Sequence, residues 1–389
     1  MSHNTALVTD GMWRKSLATV RGLALGGVKV SVGERTWMAS ALFSRHASRT
    51  YVYPSVTLYP DDFLNWLEDK VKSCRYDVLI TPEEDTCLLI GQNLSRISPY
   101  VHVPLADYDS FLLARNKFKL LTHANKLGII SPKTRLIQTD EDFLKSIREI
   151  NFPLVLKPNI STGARGIHYL LEQASLNGQF KMMKNRYGDF LMQEYIPGDQ
   201  YYGVSVIFNR KNQMRSAFVH KKLRQYPVTG GASTFAVSVE YPELVGIVET
   251  LLQEIGWHGP ANVEFKIDSR DGKPYLMEVN PRLWGAVQLA IGSGINIPFM
   301  LYQLALKGDI EPAFKYKTGV KFRSFIPGDW MHFCSRLSTD RKADYDVFRI
   351  FNKDDCHATW SYSDPLPYLG QSLSLLDYYT SKELKKFRD

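Results

Sequence analysis

The sequence predicts an α/β protein (α+β in overall arrangement), with a doubly wound parallel unit at the front and paired antiparallel strands behind it. Two observations predict this. The first residues alternate short apolar strands with a helix-period segment, and two later segments alternate with period two across a turn. The length, 389 residues, exceeds what one compact core holds and points to two or three domains.

In chain order, residues 5–9 read as a strand and residues 17–25 as a helix ended by Gly26-Gly27. Residues 28–32 follow as the next strand. Residues 76–80 form a later strand that runs into Thr81-Pro82-Glu83-Glu84-Asp85. In a doubly wound sheet that acidic cluster stands at the carboxyl edge, where ligands bind. No GxGxxG follows the first strand, so a dinucleotide fingerprint is absent. Residues 111–127 read as one helix stopped by Gly128, then come a strand at 134–137 and a helix at 139–150 with an acidic start. Residues 286–306 carry no charge, but Gly292, Gly294, Asn296 and Pro298 interrupt them, so they read as a buried loop and helix.

A net charge of +8, spread thinly, suits anionic ligands such as nucleotides and gives little support for nucleic acid. One short basic cluster is Lys221, Lys222 and Arg224. The other, Lys382, Lys385, Lys386 and Arg388, reads as a solvated helix end. Four widely spaced cysteines without a CxxC spacing argue against a disulfide framework or zinc site and for a reducing, cytoplasmic setting. Residues 1–13 lack the apolar core of a signal peptide, and no membrane role is expected.

Four segments carry chemistry. Pro153-Leu154-Val155-Leu156-Lys157-Pro158 is a buried strand ending in a lysine. The small-residue loop Ser161-Thr162-Gly163-Ala164-Arg165-Gly166 follows, and its backbone N–H groups can approach phosphate oxygens. A plain hairpin with a snorkelling lysine is the alternative. Phe190-Leu191-Met192-Gln193-Glu194-Tyr195-Ile196-Pro197-Gly198 is a strand breaking into a hinge that can offer backbone groups to a purine edge. Residues 262–268 and 274–280 form the hairpin. A three-residue loop, Arg270-Asp271-Gly272, with Gly272 left-handed and Ser269 facing Lys273, places Glu264 opposite Glu278 and Asn262 opposite Asn280. Facing side chains have Cβ atoms about 5 Å apart, so two carboxylates there repel unless a cation compensates. Oxygen donors without histidine or cysteine suit Mg²⁺ (or Mn²⁺) held together with phosphates. A solvated hairpin face is the alternative. Arg282, in Asn280-Pro281-Arg282-Leu283-Trp284-Gly285, follows directly and can neutralise a transferring phosphoryl group.

In this order and spacing, "VLKP" with "STGARGI", "LMQEYIPG", and "NVEFKID" to "LMEVNPR" resemble the ATP-grasp superfamily. Within it they look most like the carboxylate–amine ligases and carbamoyl-phosphate-synthase-like enzymes; "YPVTGGAST" and "NPRLWGAVQLAIGSGINIP" favour the amine-ligase side. The resemblance implies an ATP-grasp fold in four parts. Residues 1–112 would form the N-terminal α/β domain and 113–198 a small lid subdomain with the phosphate loop. Residues 199–310 would form a central antiparallel-sheet domain, and 311–389 an extension packed on the core.

It also implies roles. Lys117 and Lys157 would contact phosphates, with Ser161, Thr162, Gly163 and Gly166 in the loop closing over them. Gln193, Glu194, Tyr195 and Ile196 would line the adenine hinge. Glu264, Glu278 and Asn280 would hold Mg²⁺, and Arg282 with Lys157 would act on the transferring phosphoryl group. Relatives usually carry Glu near Asp199-Gln200, so Asp199 is the ribose candidate on a departure from the pattern.

The expected reaction phosphorylates a carboxylate with ATP and couples the acyl phosphate to an amine, both small molecules; a homodimer is compatible with this. A thiol acceptor, carboxylation chemistry and a non-catalytic nucleotide-binding regulator are the rivals. The acid is expected beside Arg282, with Trp284 as a wall and Gly285 as an opening. Lys222 and Arg224 would hold its carboxylate. The cluster Glu83-Glu84-Asp85 is read either as an ammonium site or as a helix N-terminus. Relief of the Glu264–Glu278 repulsion leads to the expectation that Glu278→Gln abolishes turnover yet raises stability without Mg²⁺. His220 is expected to be structural.

Overall fold

The computed structural model describes residues 4–161, 165–172, 176–340, 347 and 355–381, and in it the chain builds three sheets. The first is parallel, in the order β3-β2-β1-β4, from β1 (Thr5–Val8), β2 (Lys29–Glu34), β3 (Ala47–Val52) and β4 (Val78–Ile80). Asp10, Glu34 and Glu83 stand at or just beyond the carboxyl ends of three of these strands. The second is antiparallel, in the order β5-β8-β6-β7, from β5 (Thr134–Ile137), β6 (Leu154–Pro158), β7 (His168–Leu170) and β8 (Phe190–Glu194). The third comprises β9 (Tyr201–Phe208), β10 (Met214–Tyr226), β11 (Ala232–Ser238), β12 (Gly259–Ile267), β13 (Pro274–Asn280), β14 (Lys321–Arg323) and β15 (Asp355–His357). Its order is β13-β12-β9-β10-β11-β14-β15, antiparallel except for the parallel β14–β15 pair. The expected mixture of a parallel opening unit and antiparallel body is therefore present.

Two cores clamp the large sheet. On one side Val204, Val206, Phe265 and Leu276 pack with helical residues such as Phe111, Leu120, Val248 and Leu252. On the other, Phe218, Ala236 and Phe322 pack with Val8, Leu17, Trp284 and Leu301, which joins the parallel unit to the sheet. The small antiparallel sheet has its own core around Phe143, Leu156 and Phe190. The last segment is tied down by ions: Arg21 Nε lies 2.9 Å from Asp364 Oδ2, and Arg35 pairs with Asp377.

Two local readings are corrected. Residues 111–127 are not one helix: Tyr108–Arg115 and Lys117–Lys126 meet at Asn116, whose ψ of 100° breaks the helical run. The Asn116 side chain accepts from Lys119 N–H at 3.0 Å, so it caps the second helix. The hairpin loop is also one residue longer than expected. Asp268 N–H donates to the Lys273 carbonyl, leaving Ser269, Arg270, Asp271 and Gly272 in the turn, with Gly272 at φ 72°. The pairing nearest the turn is Ile267 with Pro274 and Phe265 with Leu276, and a register shift at Met277 restores Glu264 opposite Glu278. That shift turns fully buried Leu276 into the core beside Phe265. The uncharged residues 286–306 divide into helices Val287–Gly292 and Ile297–Lys307, and no helix among the described residues is long and apolar enough to cross a membrane.

Candidate active site

Strands β12 and β13 set Glu264 against Glu278 and Asn262 against Asn280. Asn280 Nδ2 reaches Glu264 Oε1 at 3.4 Å and Glu278 Oε1 at 3.3 Å, while its Oδ1 accepts from Arg282 Nη2 at 3.3 Å. One asparagine thus ties both carboxylates to the arginine. Ser205 Oγ orients Asn262 by donating to its Oδ1 at 2.9 Å.

Lysines converge on this face from three elements. Lys222 of β10 lies 2.7 Å from Glu264 Oε2 and also donates to the Gly231 carbonyl at 3.1 Å. Lys117, the first residue after the Asn116 break, lies 3.6 Å from Glu278 Oε2 and donates to the Ser161 carbonyl at 2.7 Å. Lys157 on β6 is buried. Its pKa is pushed down to about 8, chiefly by burial and then by Lys117, with Glu278 opposing. Burial also works against charge on Glu278, yet Lys117, Lys157 and Lys222 together hold its carboxyl below the ordinary range. In this cluster four cations, Lys117, Lys157, Lys222 and Arg282, face three carboxylates, Glu264, Glu278 and, beside Arg282, Glu84. The surplus positive charge suits a polyanion.

Oxygen donors from two facing carboxylates and an amide have the chemistry of a hard divalent cation shared with phosphates. Among the described residues no group of three His, Cys, Asp or Glu side chains forms a complete cage. The pair therefore fits a cation that takes its remaining ligands from a substrate.

At the hinge, the side chains of Gln193 and Glu194 are already engaged. Gln193 Nε2 donates to Thr134 Oγ1 at 2.7 Å, and Glu194 lies 2.7 Å from Arg270 of the hairpin turn. That leaves backbone groups as the free polar edge of this hinge. Ile196 is buried and Asp199 exposed. The Tyr195 ring meets Lys266, whose Nζ lies 4.9 Å from the centroids of both Tyr195 and Tyr201. Lys266 was missed in the sequence, although it lies two residues beyond Glu264 on a regular strand and so shares its face. In the loop expected to meet phosphates Ser161 and Gly166 are described, whereas Thr162 and Gly163 lie outside the described residues, as do Lys382, Lys385, Lys386 and Arg388.

The expected acid pocket does not form as drawn. Trp284 is buried, stacked 6.4 Å from Phe218. Gly285 is no opening: a Cβ there would stand 2.6 Å from Arg14 Nη2, so the arginine occupies that space and donates to the Ser233 carbonyl at 2.8 Å. Lys222 and Arg224 also part company across a bulge in β10. Lys222 turns to Glu264, while Arg224 lies 3.5 Å from fully buried Asp329 and 4.8 Å from the Phe235 centroid, with Arg323 over the same ring at 4.3 Å. Arg224 is thus taken up by packing and an ion pair. Arg14 and Lys15 carried no signal in the sequence, since both sit in an ordinary helix start.

The acidic cluster begins helix Glu84–Gln92, with Glu83 as its cap. It is also ion-paired: Glu83 with Lys15 at 2.7 Å, Glu84 with Arg115 at 2.6 Å and with Arg282 Nε at 3.7 Å. Lys15 is pushed down to about 8 by burial and then by Arg282, against the pull of Glu83. The parallel unit therefore reaches Arg282 directly. His220 is buried beside Gly203 and pushed down to about 3 by burial and Lys222, so it stays neutral.

Two family models match in tandem: a RimK-like ATP-grasp domain over residues 114–217, and ATP-grasp in the biosynthetic pathway with Ter operon over residues 186–325. Among curated relatives, D-aspartate ligase of Enterococcus faecium is 24% identical over 248 residues, 58% of this chain and 58% of its own length. Carbamoyl phosphate synthase large chain of a Mycobacterium species is 23% identical over 211 residues, 52% of this chain and 19% of its own length. The chain thus spans little more than half of the first and about a fifth of the second. Among solved structures, biotin carboxylase of Campylobacter jejuni superposes with a TM-score of 0.67 at 16% identity, covering 81% of this chain and 74% of that one. Residues 114–325 thus carry ATP-grasp domain matches, the curated relatives stand on the carboxylate–amine ligase side of that superfamily, and the superposition on biotin carboxylase shows the same fold.

Proposed function

We propose that the protein is an ATP-dependent ligase that phosphorylates a carboxylate, releases ADP, and passes the acyl group to an amine. The observation that carries this reading is the Glu264–Glu278–Asn280 face ringed by Lys117, Lys157, Lys222 and Arg282. Glu264, Glu278 and Asn280 would hold Mg²⁺, which would supply neutralisation of phosphate charge. Lys117 and Lys157 would bind the phosphate oxygens, with Ser161 and Gly166 bounding the loop beside them. The hinge at residues 193–196 would hold the base, Asp199 being the ribose candidate.

The carboxylate oxygen attacks the γ-phosphorus, and the electron pair of the broken P–O bond leaves on ADP. Arg282 would hold the transferring phosphoryl group against the acid, its guanidinium fixed by Asn280 and the Leu283 carbonyl. The amine then attacks the acyl carbon, phosphate leaves, and a proton is lost from the amine nitrogen. Positioning and charge neutralisation account for the catalysis without a covalent protein intermediate.

The amine acceptor is favoured by the likeness to D-aspartate ligase, which makes amino acids the first acceptors to try, D-aspartate among them. The retained cations and carboxylates weigh against a non-catalytic regulator. Domain limits at residues 112, 198 and 310 belong to the same reading. The test is product analysis with Mg²⁺, ATP, and a panel of carboxylates and amines. ADP and phosphate in equal amounts, dependent on both substrates, are expected; AMP and pyrophosphate as stoichiometric products would overturn the proposal.

A further inference from the structure

Arg14 begins helix Arg14–Leu25 and lies against Gly285, where a Cβ would stand 2.6 Å from its Nη2 and 3.0 Å from its Nε. Gly285 is three residues beyond Arg282. Lys15, next to Arg14, is near enough to Arg282 for that guanidinium to help push its pKa down. Arg14 Nη2 donates to the Ser233 carbonyl at 2.8 Å, two residues from the Gly231 carbonyl that accepts from Lys222. Arg14 therefore stands at the edge of the charged face, between the Arg282 segment and the glycine turn.

The cations around Arg14 are matched. Lys15 has Glu83 at 2.7 Å, Arg282 has Glu84 at 3.7 Å and Lys222 has Glu264 at 2.7 Å. Arg224 has Asp329 at 3.5 Å, and Arg323 has Asp355 at 3.1 Å. Among the described residues no carboxylate comes within 4 Å of Arg14, and its Nε and Nη1 make no hydrogen bond. These two nitrogens retain accessible surface, whereas Arg282 Nε does not. Asp329 acts on Arg14 from a greater distance and is already shared by Arg224 and Arg323. Burial accordingly pushes the Arg14 pKa down to about 10 against the pull of Asp329. A guanidinium withdrawn from water without a matched carboxylate is costly, and an arriving anion offsets that cost. One guanidinium with one nitrogen already bonded matches a single negative charge, and its planar fork suits paired carboxylate oxygens.

We propose that Arg14 holds a second carboxylate, one that is not phosphorylated, on a substrate whose reacting end lies at Arg282. That carboxylate belongs either to an acid with two carboxyl groups or to an amino acid serving as the amine. What reacts at Arg282 rests on the ligase reading; the anion site at Arg14 does not.

The test is calorimetry on the full chain with Mg²⁺ and a non-hydrolysable ATP analogue. Succinate is compared with succinamate, and D-aspartate with its diamide. The parent should prefer the carboxylate form of one pair roughly 10- to 100-fold, and the pair that does so tells whether the acid or the amine carries the group. Arg14→Gln should erase the preference and Arg14→Lys keep part of it. Gly285→Ala leaves every charge in place, crowds the guanidinium, and should reduce the preference by itself; melting curves show that each variant is folded. No preference in either pair overturns the proposal, as does a preference that Arg14→Gln and Gly285→Ala leave unchanged. ADP release from Mg²⁺ and ATP, followed in parallel, reports on the ligase reading separately. An Arg14-dependent preference without ADP release keeps the anion site and removes that reading, and ADP release with a preference indifferent to Arg14 does the reverse.

Discussion

Lys222 Nζ sits 2.7 Å from Glu264 Oε2, so a lysine shares the carboxylate that the proposed Mg²⁺ would use. Both groups are largely withdrawn from water, with side-chain exposures of 6% and 24%. Removing the lysine leaves Glu264 facing Glu278 with less compensation. Lys222→Met should therefore melt lower than the parent without Mg²⁺, by roughly 1–3 kcal/mol, and gain more from added Mg²⁺. Calorimetric melts with and without Mg²⁺ check this; equal Mg²⁺-induced shifts in both proteins would refute it.

Glu278→Gln should abolish turnover, but the structure reverses the expected sign of its effect on stability. Three lysines surround Glu278 and hold its folded pKa below the unfolded value. A depressed carboxyl pKa contributes stability above the unfolded pKa and loses it as pH falls through the folded pKa. The variant should thus melt below the parent at pH 7, and the gap should close in acid. A Glu278→Gln protein more stable than the parent at pH 7 without Mg²⁺ would show that carboxylate repulsion outweighs the lysines.

Lys157, at about 8, is partly uncharged in mildly alkaline solution. Its folded pKa lies below the unfolded value, so the cost of burying its charge is present below about pH 8 and is relieved as pH rises toward the unfolded pKa. Phosphates favour the protonated form. ATP binding at pH 8.5 should therefore take up a proton, and affinity should decline as pH rises further. Calorimetry in two buffers of different ionisation enthalpy measures the uptake; identical apparent enthalpies would rule it out.

Tyr169 on β7 donates its hydroxyl to the Thr229 carbonyl and so joins the small antiparallel sheet to the glycine turn that also anchors Lys222. Tyr169→Phe should raise the KM for ATP severalfold and change kcat less, since it unties the small antiparallel sheet from the glycine turn without touching the charged face. Steady-state ADP release measures both, and an unchanged KM would remove the latch from the account.

Arg224→Lys should lower the melting temperature and leave the KM for the acid unchanged, because its contacts are Asp329 and the Phe235 ring. Lysine cannot copy a stacked, planar guanidinium. A specific loss of acid affinity without loss of stability would restore Arg224 to the substrate pocket.

The paired glutamates were legible because alternation and a turn glycine determine which residues face each other. The route to that pairing was not, since the longer turn and the shift at Met277 cancel. The shift depends on Leu276 finding the core beside Phe265, a tertiary preference invisible in a local pattern. The break at Asn116 was likewise hidden, because apolar spacing continues through it. Arg224 misled for a related reason: regular alternation keeps residues 222 and 224 on one face, and the bulge between them separates their partners. Arg14 filling the space beside Gly285 required the packing of two distant segments and had no sequence signature.

The surplus of lysine and arginine over carboxylate on the active face has a consequence outside catalysis. Lys157 carries its charge at a cost until an anion arrives, and a bound nucleotide favours only the folded chain. With nucleotide bound as proposed, a concentration one hundred times Kd adds about 2.7 kcal/mol to folding. A cell depleted of ATP would then hold a larger unfolded fraction, open to proteases, and the lifetime of the protein would track the energy supply that the proposed reaction consumes.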